Sequence, residues 1–279
     1  MFVMKFHLTA AIIALYFNCE KGFSRAQCFG KNLTAVVLSM HNHRFQHTEK
    51  VLSRLNFEVI RERPIPYTSP ALLDIYNSLK LYDGFPLNLD EYRKTFSNYA
   101  TFRKAIQSFA VEPPEVSSLE EWRFFFEDDV AVHQGDTSPV CSIRRGMELA
   151  QTEGILYLGI CGSECFSQNK IEERGVVFSR CYGCCAHAFG LTKWKAGLIL
   201  DLFLLLQRDI IMVQRLYFDR GLYEYGRRVQ PIFVVGANLN RTHPVYGKDG
   251  PNQTTSSPVM DHSGIFYQDR KFYSTTIDG

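Results

Sequence analysis

The segment Trp122-Arg123-Phe124-Phe125-Phe126-Glu127-Asp128-Asp129 decides the fold, because it joins an aromatic run directly to three acids. A short run of aromatic residues favours a buried β-strand, and the acids then follow the end of a strand, where open α/β sheets bind ligands. Crowded carboxylates repel one another unless a cation neutralises them. Mg²⁺ and Mn²⁺ prefer oxygen ligands and share them with substrate phosphates. The segment predicts a metal–diphosphate site, with a solvated acidic turn as the alternative.

Apolar segments on both sides of this run alternate between strand-like and helix-like patterns. Further buried strands are predicted at 33–40, 57–60, 154–160, 186–191 and 230–235. Helices are predicted from about residue 47, over 92–109, over 139–150 and over 193–207, with a long loop that contains a short helix at 63–89. Alternating strands and helices predict an α/β fold with a mainly parallel, Rossmann-type sheet flanked by helices. We expect residues 30–270 to form one domain.

The first 25 residues resemble a secretory signal peptide. Lys5 precedes an apolar stretch at 8–17, and about ten apolar residues suit a signal-peptide core but not a bilayer-spanning helix. A short retained anchor and an ordinary N-terminal helix are the alternatives. Glycosylation sequons at Asn32, Asn240 and Asn252 agree with secretion. We therefore expect a protein of the ER or Golgi lumen, or a secreted one, with no stable membrane span unless the N-terminal segment is retained.

The eight cysteines also fit an oxidising compartment. Several of them cluster near His187, at 161, 165, 181, 184 and 185. Zinc accepts cysteine and histidine ligands at such spacings. An oxidising compartment favours disulfides instead, and His187 falls within a predicted apolar strand. Disulfides are our interpretation, with zinc or unpaired structural cysteines as alternatives, and the sequence does not specify the pairing.

Charge and motif content exclude several classes of protein. The net charge is +2, and there is no block of lysine and arginine, so we expect no nucleic-acid partner. The sequence has no P-loop, no GxGxxG motif that opens a helix, and no GxSxG motif, which excludes the commonest nucleotide-binding and esterase sites. Arg44 follows the first predicted strand, at a position that faces the ligand crevice in α/β sheets, and its guanidinium suits bidentate contact with phosphate.

The order of four short blocks resembles that of glycosyltransferase family 25, which includes bacterial lipooligosaccharide and animal collagen galactosyltransferases. The blocks are 35–44, 97–104, 126–130 and 185–191, with a weaker fifth block at 208–212. Two positions depart from the family pattern: Asn98 stands in place of a helix histidine, and Phe189 in place of a strand tyrosine. The resemblance therefore indicates a divergent member.

The resemblance implies a GT-A-like fold, a UDP-sugar donor and Mn²⁺ or Mg²⁺ as the cofactor. The implied reaction is inverting transfer of a hexose, with galactose the expected sugar, to a hydroxyl of a glycan or protein acceptor. The departures from the family pattern keep a second hypothesis open, a secreted domain with the same fold and no catalytic activity.

The resemblance also implies roles for individual side chains. Those expected to contact the donor are Arg44, Glu127, Asp128 and His187. Those expected to bind the metal are Asp129 as the principal ligand, with Glu127 and His262. Since an inverting displacement needs a base that accepts the proton of the acceptor hydroxyl, we assign that role to Asp209.

Overall fold

A computed structural model describes residues 28, 30–80, 89–135, 138–208, 216–239, 241–244 and 259–269. The chain divides into two compact units, Met1–Lys31 and Asn32–Gly279. The predicted signal peptide lies outside the described residues. The second unit contains all the helices and strands named below.

The described elements alternate between helices and strands along the chain. The helices are α1 (Asn42–Ser53), α2 (Pro70–Lys80), α3 (Leu89–Ala110), α4 (Pro139–Leu149), α5 (Lys193–Arg208) and α6 (Phe218–Arg228). The strands are β1 (Leu33–Leu38), β2 (Phe57–Glu62), β3 (Trp122–Glu127), β4 (Val130–Val132), β5 (Ile155–Glu173), β6 (Val176–Thr192), β7 (Ile232–Val235), β8 (Arg241–Pro244), β9 (Val259–Gly264) and β10 (Phe266–Gln268). The predicted strands and helices are all present, with differences at their ends, and Phe218–Arg228 is an additional helix.

The central sheet of the described residues has eight strands in the order β2-β1-β3-β6-β7-β5-β9-β8. β1 is parallel to β2 and β3, and β5 is parallel to β7. β6 and β9 run against their neighbours, so all the other strands of the sheet share one direction. This is an α/β fold with a largely parallel, Rossmann-like sheet, and the predicted fold class is confirmed. A small second sheet pairs β10 with β4.

Helices cover both faces of the sheet, which is why its inner strands are almost continuously apolar. Along β1, Val36 and Leu38 face one core, whereas Ala35 and Val37 face the other. Side chains from α3, α5 and α6 complete the first core, and side chains from α1 and α4 complete the second. The alternation of side chains along a strand therefore divides the apolar residues between two layers of helices.

Helix α5 is the core helix that the sequence predicts. The amide of Lys195 donates a hydrogen bond to Thr192 Oγ1 at 3.4 Å, so Thr192 caps the start of the helix. Ala196, Ile199 and Phe203 are buried in the first core. Among the described helices, none combines the length and the apolar character that a bilayer crossing requires.

Helix α6 is not among the predicted helices, and its packing explains why. It contains two glycines, which weaken an isolated helix. Both glycines allow close contact: a Cβ atom at Gly221 would lie 2.6 Å from Phe203 Cδ2, and one at Gly226 would lie 2.7 Å from Tyr182 Cβ. The helix therefore forms because it packs against the core, and its own sequence signals it poorly.

The β5–β6 hairpin extends far beyond the predicted strand segments. Register shifts bend it, so that β5, β6 and β7 each pair with the other two strands. Two disulfides cross the bent region, Cys161–Cys185 and Cys165–Cys181, with Cα–Cα distances of 5.5 and 4.1 Å. The disulfide interpretation of this cluster is confirmed, and it agrees with folding in an oxidising compartment.

The remaining described cysteines differ in their chemical state. Cys141, in the second unit, is disulfide-bonded, and so is Cys28, in the first unit. Cys184 is the free cysteine among those that the structure describes. Its Sγ lies 3.5 Å from the carbonyl oxygen of Cys161.

We expect Cys184 to be a slow nucleophile near neutral pH. Burial raises the pKa of its thiol, and the negative charge of Asp219 raises that pKa further. The thiolate is the form that reacts with iodoacetamide. Alkylation of Cys184 in the folded chain should therefore require a higher pH than in the unfolded chain. The unfolded reference is the chain in urea with its disulfides intact. Coincident profiles for the folded and unfolded chains would contradict this expectation.

Candidate functional site

The carboxyl ends of β1 and β3 lie side by side at a topological switch point, and this region is the candidate crevice. The chain leaves β1 through α1 and returns as β2 on one side of β1, whereas β3 pairs with the other side. Ligands of open α/β sheets bind outside the carboxyl ends of the strands at such a point. Leu38, the last residue of β1, pairs with Glu127, the last residue of β3. The Arg44-bearing segment and the acidic turn therefore leave the sheet side by side.

Asp128 connects these two segments. Its Oδ1 lies 2.6 Å from Arg44 Nη2, and its Oδ2 accepts a hydrogen bond from Ser39 Oγ at 2.6 Å. Thr48 Oγ1 donates to the Asp128 carbonyl oxygen at 2.9 Å. The Arg44 and Asp128 side chains are each only 11% exposed. A charged pair with this little solvent is a fixed part of the site, unlike a surface salt bridge.

Glu127 and Asp129, on either side of Asp128, contact residues in and just after β10. Gln268 Nε2 in β10 donates a hydrogen bond to Glu127 Oε2 at 2.5 Å. The amide of Asp269 donates to the Asp129 carbonyl oxygen at 2.7 Å. Asp129 is buried, and its Oδ2 lies 3.8 Å from Arg44 Nη2. The antiparallel pairing of β10 with β4 thus frames the acidic turn on one side.

The side-chain oxygen atoms at this turn are of the kind that a hard divalent cation prefers as ligands. The side chains offer carboxylate oxygens, and Mg²⁺ is commonly held by one or two carboxylates together with substrate phosphates and water. Within the described residues, the three acids do not form a compact group of three metal ligands. The group that does is Cys161, Cys185 and His187, and its two cysteines are joined in a disulfide, so they offer no thiolate. A divalent cation bound by these carboxylates would therefore need further ligands, such as a phosphate or water.

His187 lies at the end of the ladder that joins β6 to β3. That ladder ends where Phe126 pairs with Ala188, so His187 is the next residue of β6 beyond it. The imidazole is completely buried, with Nε2 3.3 Å from the Phe266 carbonyl oxygen and Nδ1 3.8 Å from Cys161 Sγ. The ring, which projects from β6, lies next to residues of β5 and β10. Its predicted contact with the donor stays a prediction.

Two other predicted site residues lie partly or wholly beyond the description. The backbone of His262 belongs to β9, where it pairs with Cys161 and with Arg241, but its side chain is outside the described atoms. Asp209 is outside the described residues. The third metal ligand and the catalytic base therefore stay predictions.

Three polar residues of the site have no predicted role: Ser39, Thr48 and Gln268. The place of Thr48 beside Arg44 could be inferred from the sequence, since the two are four residues apart and so lie on the same face of α1. Ser39 is the first residue after β1. Gln268 carries no local signal, because its approach to Glu127, 141 residues away in the sequence, depends on the pairing of β10 with β4.

No protein-family model matches this sequence, and no curated protein matches it. The resemblance to glycosyltransferase family 25 therefore stays a prediction. The geometry at the carboxyl ends of β1 and β3 is the structural support for the functional proposal.

The Arg44–Asp128 pair leads to a stability prediction. Arg44→Met leaves a buried carboxylate without its guanidinium, and breaking a buried pair in this way costs about 3–5 kcal/mol of unfolding free energy. Adding Asp128→Asn to that variant should recover part of the loss. Urea denaturation of both single variants and the double variant measures the coupling between the two residues.

Arg54→Met serves as the control, because Arg54 is exposed just after α1 ends. It should change the unfolding free energy by less than about 0.5 kcal/mol. Strictly additive effects of Arg44→Met and Asp128→Asn would show that the pair has no energetic coupling.

Proposed function

We propose that this chain is a luminal, metal-dependent glycosyltransferase that transfers a hexose from a UDP-sugar to a hydroxyl acceptor with inversion. The observation that carries the proposal is the crevice at the switch point, where Arg44 and the acids of residues 127–129 lie together. The disulfides support an oxidising compartment, which is where a luminal enzyme folds.

The chemistry of sugar transfer accounts for the kinds of residue in the crevice. The diphosphate leaving group gains negative charge as the glycosidic bond breaks, and a bound divalent cation would stabilise that charge as a Lewis acid. Asp129 and Glu127 are the residues that would hold the cation. Gln268 fixes the orientation of the Glu127 carboxylate.

Asp128 and Ser39 act as positioning residues in this proposal. Together they anchor the Arg44 side chain beside Asp129, so the guanidinium is already oriented before a donor enters. A group that is oriented in advance costs little reorganisation during the reaction. The Arg44 guanidinium is then placed to bind the diphosphate. Asp209, which directly follows α5 in the sequence, is assigned as the base that takes the proton from the acceptor hydroxyl.

A screen of nucleotide sugars tests the proposal. Purified protein is incubated with a panel of UDP-hexoses in Mn²⁺, and released UDP and transferred sugar are measured by mass spectrometry. We expect UDP release with at least one hexose donor, loss of release in EDTA, and recovery when Mn²⁺ is added back. A chain that neither binds UDP nor releases it from any donor would overturn the proposal.

A second function has one observation in its favour. Phe189 is completely buried and stacks against Phe125 at a ring-centroid distance of 5.4 Å, so this position offers no hydroxyl group to a ligand. A secreted domain that binds a nucleotide sugar without turning it over fits that replacement. Mn²⁺-dependent UDP binding without hydrolysis or transfer would favour this second function.

A further inference from the structure

We propose that Asn32 carries an N-linked glycan. Asn32-Leu33-Thr34 is a glycosylation sequon with no proline in its middle position. Asn32 is exposed and directly precedes β1, so its side-chain amide lies outside the sheet. The sequons at Asn240 and Asn252 lie outside the described residues.

Asn32 is exposed, whereas the next residue is fixed in the sheet and the core. The Leu33 amide donates a hydrogen bond to the Asn56 carbonyl oxygen at 3.1 Å, and the Leu33 side chain is buried in the second core. The chain therefore enters the sheet immediately after Asn32. Attachment to Asn32 displaces no core side chain, because the core begins one residue later.

The chemistry of the modification is that of oligosaccharide transfer in the secretory pathway. The co-reactant is a lipid-linked oligosaccharide diphosphate. A bond forms between C1 of the first sugar and Asn32 Nδ2, and the bond from that C1 to the diphosphate oxygen breaks. The lipid diphosphate leaves with the electron pair, and the transferase accepts the proton from Nδ2. No oxidant or reductant is needed.

The position of Asn32 just before β1 predicts that the glycan lies away from the candidate crevice. Asn32 lies at the amino end of β1, whereas Ser39 and the candidate crevice lie at the carboxyl end. A strand of six residues separates the two ends, which is about 20 Å at 3.3 Å per residue. The glycan therefore projects from the edge of the sheet opposite the crevice. The modification is independent of the proposed catalytic function.

Glycopeptide mass spectrometry of the full chain, expressed in secreting animal cells, tests this proposal. Both the medium and the cell lysate are collected, and peptides that contain residue 32 are compared before and after treatment with peptide N-glycosidase. We expect glycan on Asn32 in the wild-type chain. Unmodified Asn32 in every fraction of that chain would overturn the proposal.

Three variants separate the sequon from other effects of substitution. Asn32→Gln and Thr34→Ala should each abolish modification at this position, whereas Thr34→Ser keeps the sequon and should retain it. Asn32 is exposed, so Asn32→Gln should fold like the wild-type chain, and its thermal midpoint checks this. Glycan on residue 32 of the Thr34→Ala variant would show that the sequon does not direct the modification.

Discussion

Replacing Asp129 with asparagine should lower hexose transfer by at least about 100-fold, the scale seen when one group that stabilises transition-state charge is removed. The amide keeps the size of the carboxylate but loses its negative charge, so it binds a hard cation more weakly. The fold should survive, because the closer contact of Arg44 is with Asp128 rather than Asp129, and the contact with Asp269 is made by the Asp129 backbone oxygen. Transfer assays, with titration of UDP in the presence of Mn²⁺, measure both effects.

Asp74→Asn is the matched control for this variant. Asp74 is an exposed acid on α2, so the same chemical change there should alter neither UDP binding nor transfer. Circular dichroism and the thermal midpoint should match the wild-type values in both variants. Full transfer activity in the Asp129→Asn chain would remove Asp129 from the proposed site.

Replacing Phe218 with alanine should lower the free energy of unfolding by about 3–5 kcal/mol, the usual cost of a large cavity in a core. Phe218 opens α6 and is buried in the first core. Its ring stacks on Phe102 at 4.5 Å between centroids and lies 5.5 and 5.4 Å from the rings of Phe189 and Phe203. Truncation therefore removes the contacts that join α6 to α3, α5 and the sheet.

The control for this variant is Phe166→Ala. Phe166 is 43% exposed on the β5–β6 hairpin, so the same truncation should cost less than about 1 kcal/mol. Urea denaturation, with the m-value checked for each variant, measures the difference. Equal losses at the two positions would mean that the aromatic cluster does not stabilise the fold in the way its packing indicates.

The parts of the fold that could be predicted are those whose residues carry a strong local pattern. β1 and β3 are short, mostly apolar segments that are almost wholly buried, and α3 and α5 keep regular helical spacing. Helix α1 begins at Asn42, about five residues before the predicted start. Its N-cap residue, His41, makes no side-chain capping hydrogen bond, so the sequence gives no start signal there.

The parts that could not be predicted depend on contacts between distant residues. The outer half of the β5–β6 hairpin contains bulges, polar residues and cysteines, and it is held by its disulfides and by pairing with β7 and β9. Local periodicity therefore ends near residue 160, although the strand continues to Glu173.

The candidate site shows the same division. The acids at the end of β3 and the arginine after β1 are visible in the sequence, because each follows a predicted strand. The contact between Arg44 and Asp128 is not visible, since 84 residues separate them and only the parallel pairing of β1 with β3 brings them together. The sequence predicts each of the two as a contact to the sugar donor but does not predict that they form an ion pair with each other.

The order of the strands also has a consequence for how the folded protein behaves at high concentration. In the described part of the chain, the two outermost strands of the sheet are β2 and β8. β2 carries Glu58, Arg61 and Glu62, and β8 ends at Pro244, whose nitrogen has no hydrogen to donate. Both edge strands therefore disfavour the addition of a strand from another copy of the chain. Fibrillar self-association should thus require prior unfolding.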